Sequence, residues 1–185
     1  GYGYVSERVA RLPHDKLADK PSNEWELGTC SPPNFAAITK VVDYVCWLGS
    51  RFTDSGERRA RYLAGMEKIH AYERSLTIRM LDGSDRAPGL RHIAGVEVYA
   101  DSPNYGSRDP IVAFGIAGVD LSEAVKEYYG RGITVFERLN SSPYSKRIVE
   151  SLGLAGAIRA SPLHCNTFGE IDQFLRVTRD IAGKK

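Results

Sequence analysis

The stretch Ile158-Arg159-Ala160-Ser161-Pro162-Leu163-His164-Cys165-Asn166-Thr167-Phe168-Gly169-Glu170-Ile171-Asp172 decides how the rest of the chain is interpreted. It begins as a short apolar strand that delivers an arginine, and it continues through a polar loop. It then enters a helix that Thr167 caps, with Glu170 three residues later completing a capping box. Arginine at the end of a buried strand is suited to binding a carboxylate, because its planar fork donates two parallel hydrogen bonds.

Outward from this stretch, the sequence alternates between strand and helix patterns. The predicted elements are, in chain order, a helix from Pro32 to Gly49, a helix over about 56–81, strands over 95–99 and 111–116, a helix after Asp120, a strand over 132–136, a helix over 145–152, a strand over 157–159 and a helix after Thr167. The helix after Asp120 has Glu123 as its capping-box partner. Two long helices followed by alternating strands and helices predict an α/β layer with helices packed on a small sheet.

The start of the chain has a different pattern. Gly1-Tyr2-Gly3-Tyr4-Val5 alternates glycine with larger residues and predicts a short strand, and residues 6–24 predict a short helix followed by a loop. A domain rarely begins in mid-strand, so we expect the chain to be part of a longer protein.

Composition narrows the class of protein. The 185 residues are 42% hydrophobic and 26% charged, as in ordinary globular domains, and a net charge of +2 without a basic block argues against a nucleic-acid surface. No apolar run approaches the roughly 20 residues that span a membrane. Three cysteines without metal-ligand spacing favour reduced thiols in a cytoplasmic protein, and no metal site is predicted.

A second motif, Trp25-Glu26-Leu27-Gly28-Thr29, lies well upstream of the first. With Arg159-Ala160-Ser161, Asn166-Thr167 and Glu170-Ile171-Asp172 in this order, the chain resembles the C-terminal portion of class V aminotransferases, in the cysteine desulfurase-like branch of the fold-type I pyridoxal-phosphate (PLP) enzymes. The resemblance covers nearly the whole chain. It implies a remnant of the large PLP-binding domain over 1–30, a linking helix over 31–55, and the small C-terminal α/β domain over 56–185.

The resemblance also implies roles for single residues, each with a structural alternative. Arg159 takes the α-carboxylate of an amino-acid substrate, or else pairs with a nearby acid. Asn166 orients the Arg159 guanidinium, or else only turns the chain before the last helix. The Thr29 hydroxyl reaches the PLP phosphate of a partner subunit, with Gly28 allowing close backbone approach, or else Thr29 is an ordinary cap. His164 is interpreted as a surface or packing residue rather than a catalytic one.

Two departures from the family pattern bear on activity. Desulfurases carry a nucleophilic cysteine in the loop after the strand over 132–136, whereas the loop here, Glu137 to Tyr144, has none. In addition, none of the eight lysines lies at the strand end where the family places its Schiff-base lysine. The catalytic lysine is therefore expected outside this chain, and the chain alone is expected to be inactive.

The resemblance thus predicts the C-terminal part of a PLP-dependent enzyme that acts on an amino acid, as a desulfurase, C–S lyase, epimerase or aminotransferase. Its expected partners are the amino acid, the missing N-terminal portion, and a second copy in a homodimer, with no nucleic acid or membrane. Two alternatives are a non-catalytic dimerisation or partner-binding module from the same family, and an unrelated small α/β binding domain.

Overall fold

A computed structural model describes residues 3–22, 24–28 and 31–184 of the chain. By compactness the chain divides into two units, Gly1–Ala64 and Gly65–Lys185, which are treated separately below. The predicted segment limits at residues 30 and 55 remain predictions. No helix among the described residues is long and apolar enough to cross a membrane.

The first unit is helical. It contains α1 (Glu7–Ala10), α2 (Pro32–Gly49) and the beginning of α3 (Arg58–Asp82). Two prolines open α2, where the first turn tolerates a missing N–H, and the helix ends at Gly49 as predicted. The start of α3 is tied to α2 by an ion pair of 2.7 Å between Arg58 and Asp43.

The second unit holds the rest of α3 and the sheets. Its further elements are β1 (Gly83–Ser84), β2 (Ala87–Pro88), a 3-10 turn (Leu90–His92), β3 (Val96–Tyr99), β4 (Val112–Ile116), α4 (Leu121–Gly130), β5 (Phe136–Leu139), α5 (Lys146–Ser151), β6 (Gly156–Ala160) and α6 (Phe168–Ala182). This arrangement confirms the predicted α/β class.

The main sheet has four strands in the order β3-β4-β6-β5, and every neighbouring pair is antiparallel. The strand β6, which carries Arg159, therefore lies inside the sheet between β4 and β5. On β4, Ala113 is the residue opposite Arg159, and on β5 it is Phe136.

One face of the sheet packs on the helices and forms the core. Because side chains alternate along a strand, the core side chains are Phe114 of β4 and Ile158 of β6, both fully buried. They join Leu76 of α3, Tyr128 of α4 and Leu175 of α6 in one apolar cluster. Arg159 follows Ile158 directly, so its side chain lies on the opposite face of the sheet.

The strand predicted over 132–136 lies too early in the sequence. The sequence predicted strand over 132–136 and a loop from Glu137, whereas β5 runs from Phe136 to Leu139. Gly132 adopts a φ of +75°, and the Ile133 N–H donates to Tyr128 O, so these residues wrap around the end of α4. The chain becomes a strand only where it can pair with β6, and the loop without a cysteine begins at Asn140.

The predicted opening strand is also wrong where it can be compared. Gly1 and Tyr2 lie outside the described residues, and residues 3–5 have no regular structure. A strand needs a neighbour to satisfy its backbone groups, and none of the described strands pairs with these residues. The short helix predicted after them is confirmed as α1.

Candidate functional site

The face of the sheet opposite the core carries the residue that the motifs singled out. Register and alternation place Tyr99, Ala113, Phe136, Arg138 and Arg159 on this side, which we call the arginine face. Four of them form one row across the sheet, because Tyr99 is paired with Ala113, Ala113 with Arg159, and Arg159 with Phe136.

Arg159 has hydrogen-bond donors without acceptors. Its Nε is buried and has no partner, and no ion pair or hydrogen bond to Arg159 is present among the described residues. Arg74 and Arg108 also bury an unpaired Nε, but each bonds through another guanidinium nitrogen, to His70 and Asp101 respectively. Since buried donors are nearly always satisfied in proteins, the Arg159 guanidinium is open to an acceptor that the described part of the chain does not provide.

The structural alternative for Arg159, an ion pair with a nearby acid, is therefore not observed in the described part of the chain. Its assignment to a substrate carboxylate remains a prediction, which the open donor supports.

Sequence reasoning did not identify the neighbours of Arg159, namely Phe136 and Arg138. They belong to β5, whose position depends on pairing with β6 rather than on its own sequence pattern.

Tyr99 forms the far end of the row. Its ring extends along the face so closely over Gly115 that a Cβ at that glycine would overlap the tyrosine hydroxyl. Burial raises the pKa of Tyr99, and the charge of Glu97 raises it further. The phenol is thus kept protonated and able to donate a hydrogen bond.

The loop after β6 is fixed by α3. The His164 N–H donates to Glu73 Oε1 at 3.0 Å, and the Tyr72 hydroxyl donates to Asn166 O at 2.9 Å. These two hydrogen bonds hold the loop that follows Arg159 against α3. His164 takes part in this anchoring, and its interpretation as a packing residue rather than a catalytic one stays a prediction.

Asn166 is occupied locally. Its Oδ1 accepts from the Leu163 N–H at 2.9 Å, and its own N–H donates to Leu163 O at 2.8 Å. These bonds are those of the turn alternative. A bond between Asn166 and Arg159 is not among the hydrogen bonds of the described residues, so an orienting role toward Arg159 remains a prediction.

The capping box predicted at Thr167 is confirmed. Thr167 Oγ1 accepts from the Glu170 N–H, and Glu170 Oε2 accepts from the Thr167 N–H at 2.6 Å. The bonds from the Thr167 backbone and side chain lower the pKa of the Glu170 carboxyl. At Asp120 only half of the predicted box is present: Asp120 caps α4, but Glu123 bonds to Lys126 instead.

The last residue of the motif, Asp172, has a structural partner. Arg79 of α3 donates to both carboxylate oxygens, from Nε at 2.7 Å and from Nη2 at 2.8 Å, and the Asp172 side chain is only 3% exposed. The bond to Arg79 lowers the pKa of the Asp172 carboxyl. This bidentate pair fixes α6 to α3.

A cavity of about 330 Å³ lies next to the loop that follows β6. It is lined by residues after β6, residues before β5 and the first turns of α6, among them Thr134, Ser161 and Asn166. Asn166 thus borders this cavity, whereas Arg159 points to the arginine face.

The residues assigned to the cofactor lie in the first unit. Thr29 is outside the described residues, so its predicted phosphate contact has no structural counterpart here. Gly28 is exposed, and a Cβ built on it would have no atom within 4 Å, so the space beside its backbone is open. The seven described lysines are all exposed, on helices or in loops.

Comparison with known proteins gives relatives of one kind. The chain is 28% identical over 154 residues to a probable cysteine desulfurase of Synechocystis sp., covering 83% of this chain and 31% of that protein. It is 29% identical over 166 residues to a probable cysteine desulfurase of Mycolicibacterium paratuberculosis, covering 90% of this chain and 20% of that protein. The chain thus spans less than a third of either relative. No protein-family model matches it.

The structure is similar to a solved structure of a protein of the same kind. The structure superposes on the apo cysteine desulfurase of Thermococcus onnurineus with a TM-score of 0.55 at 21% sequence identity, covering 68% of this chain and 28% of that one. Coverage of only part of each relative fits a portion of such a protein. The resemblance that the motifs predicted is therefore confirmed in sequence and in fold: the chain is similar to a C-terminal portion of the cysteine desulfurase-like proteins.

Proposed function

We propose that this chain is the C-terminal part of a PLP-dependent enzyme acting on an amino acid, in which Arg159 binds the substrate α-carboxylate. The observation that carries the proposal is the guanidinium of Arg159, held inside a sheet with a buried Nε that has no partner. A carboxylate supplies two acceptor oxygens in the plane that this fork requires. The relatives named probable cysteine desulfurases support an enzyme of this type.

PLP, when bound, supplies the electron sink for the reaction. The open backbone at Gly28 fits close approach of its phosphate, and Thr29 is the proposed hydroxyl donor. The exposure of the described lysines supports placing the lysine that holds the cofactor in the N-terminal portion of the enzyme. This chain then orients the substrate, whereas the other portion provides most of the cofactor pocket.

The position of Arg159 suits an orienting role. It lies on β6, which is held by β4 on one side and β5 on the other, so its backbone is fixed and the side chain leaves the sheet at a defined point of the arginine face. A substrate gripped at its α-carboxylate has its reacting bonds fixed in direction. Desulfuration, C–S cleavage, epimerisation and transamination all use such a contact. Because the loop from Asn140 has no cysteine, we do not propose sulfur transfer through a persulfide in this loop.

The test is Arg159→Lys in the complete enzyme. Lysine keeps the charge but loses the two-pronged geometry. Losing one charge-assisted hydrogen bond of about 1.5–3 kcal/mol lowers kcat/KM for amino acids roughly 10- to 150-fold. Substrate analogues without the carboxylate change little, and PLP binding is retained. Equal losses for both kinds of substrate mean that Arg159 maintains the fold instead.

A second test concerns the missing lysine. We expect that borohydride reduction of this chain with PLP, followed by peptide mapping, labels no single lysine stoichiometrically. The seven described lysines have solvated ammonium groups at exposed positions, where none is set apart as a nucleophile. Stoichiometric labelling of one lysine contradicts the proposal that the lysine that holds the cofactor lies in the N-terminal portion of the enzyme.

We also propose that the chain works in an assembly, with its N-terminal portion and in a homodimer. The helix α2 exposes large apolar side chains along its length, namely Phe35, Ile38, Val41, Tyr44 and Trp47. A surface of this kind marks an interaction site. Sedimentation of the chain should show association as concentration rises, and a monomer over a wide concentration range argues against this part of the proposal.

A further inference from the structure

We propose that the arginine face binds an amino acid with a second acidic group in its side chain. Arg159 takes the α-carboxylate, and Arg138 takes the side-chain acid. This inference rests on the proposed function and adds the substrate class to it. Nothing in the motifs points to Arg138, which enters only through the register of β5 on β6.

Register places the two arginines together. Arg138 is opposite Ala157, two residues before Arg159 on the same strand, and Phe136 is opposite Arg159. Arg138 and Arg159 are therefore diagonal neighbours on one face, at a Cα separation of roughly 7–8 Å. Two guanidinium groups on long side chains at this separation can bind the two ends of one small dianion.

Neither arginine of this face forms an ion pair among the described residues, and the one hydrogen bond of Arg138 is from Nη1 to the neighbouring Glu137 O at 3.3 Å. The nearest acidic strand residue on the same face is Glu97 of β3, three strand intervals from β5. At about 4.8 Å per interval this is roughly 14 Å from Arg138, and Arg159 on β6 is two intervals or roughly 10 Å away, both beyond the screening length of about 8 Å at physiological salt.

A dianionic ligand fits these surroundings better than an amino acid with a neutral side chain. With a neutral side chain, Arg138 would lie beside the substrate without a counter-charge. Phe136 stands next to both arginines and is 53% exposed, so its ring offers an apolar contact for the carbon chain between the two acids. The face thus matches a short aliphatic chain with an acid at each end.

The experiment titrates the 185-residue chain by NMR, following the arginine side-chain N–H signals. The probes are succinate, which has two carboxylates, and butyrate, which has the same number of carbons and one carboxylate. We expect succinate to bind about 10- to 100-fold more tightly, because a second charge-assisted hydrogen bond typically contributes that much. The preference should decrease as salt is added.

Three variants separate the roles, and each removes one positive charge. Arg138→Gln should abolish the preference for succinate and leave butyrate binding unchanged. Arg159→Gln should weaken both probes. The control is Arg147→Gln, at an exposed position of α5, which should change neither. Circular dichroism of each variant checks that it is folded.

Every other outcome refutes either the proposed function or the second acidic group of the substrate. Unchanged butyrate binding in Arg159→Gln refutes the proposed function, and the present inference with it. Equal affinity for the two probes, or no effect of Arg138→Gln on succinate, refutes the second acidic group alone. Binding of neither probe refutes the proposed function together with the inference. Inorganic phosphate is the third probe: if Arg138→Gln weakens phosphate but not succinate, Arg138 is a phosphate contact and the inference is wrong.

Discussion

Replacing Asp172 by asparagine tests the interpretation that this motif residue acts in the fold rather than in the site. The change keeps the shape of the side chain but removes the charge that Arg79 grips with two hydrogen bonds of 2.7 and 2.8 Å. Breaking a buried ion pair typically costs 3–5 kcal/mol, because the remaining charge is left without compensation. The Arg79 side chain is 22% exposed and can regain some water. We therefore expect the free energy of unfolding to decrease by about 3 kcal/mol, near the lower end of this range.

The loss should be visible in thermal and chemical unfolding. For a unit of this size, about 3 kcal/mol corresponds to a decrease in Tm of roughly 10–15 °C. The matched control is Asp180→Asn, in the same helix, whose side chain is 48% exposed and 3.1 Å from Arg131. A surface pair of that kind contributes at most about 1 kcal/mol. If the two variants lose the same stability, the buried pair does not hold α6 to α3.

The same pair gives a pH dependence with a definite sign. Arg79 lowers the pKa of Asp172 in the folded state, so the stabilisation is fully present above the unfolded pKa of about 3.9. It is lost as the pH falls through the lower, folded pKa. The native chain should thus lose stability on acidification below about pH 5 more steeply than Asp172→Asn. If the stability of the two proteins decreases equally as the pH falls, Asp172 is not the group responsible for this pH dependence.

Three further predictions concern the scaffold. Thr167→Ala should lower the free energy of unfolding by about 1 kcal/mol in urea titrations, with Thr167→Ser close to native, because the capping hydroxyl is restored. Tyr128→Phe should cost about 1 kcal/mol by the same measurement, since the buried phenol is 2.6 Å from the Thr178 hydroxyl. Gly115→Ala should lower Tm through overlap with the Tyr99 hydroxyl, and the double variant with Tyr99→Ala should recover most of the loss if that overlap is the cause.

Elements with local signals were predicted well from the sequence. The bounds of α2 follow from prolines at its start and a glycine at its end, and the cap of α6 follows from the spacing of Thr167 and Glu170. These signals act within a few residues, so a single sequence contains them. They required no knowledge of what packs against the helix.

Elements that depend on distant partners were predicted less well. The apolar residues before Phe136 have a strand pattern, but the turn at Gly132 keeps them outside the sheet, and pairing with β6 sets where β5 begins. The same non-local register decides which side chains share a face. It places Arg138 beside Arg159, a neighbour that no spacing in the sequence indicates.

The motif around Arg159 combines two kinds of residue, and the structure separates them by their partners. Thr167 and Asp172 have their hydrogen bonds satisfied within the chain, by the capping box and by Arg79. They hold α6 in place and limit the motion of the loop that follows β6. Arg159 differs from both because its donors have no acceptor among the described residues. The residues that hold the segment in place thus have their partners, and one guanidinium with a buried Nε has none. A binding strand requires this combination, since rigid neighbours reduce the entropy lost when an anion arrives.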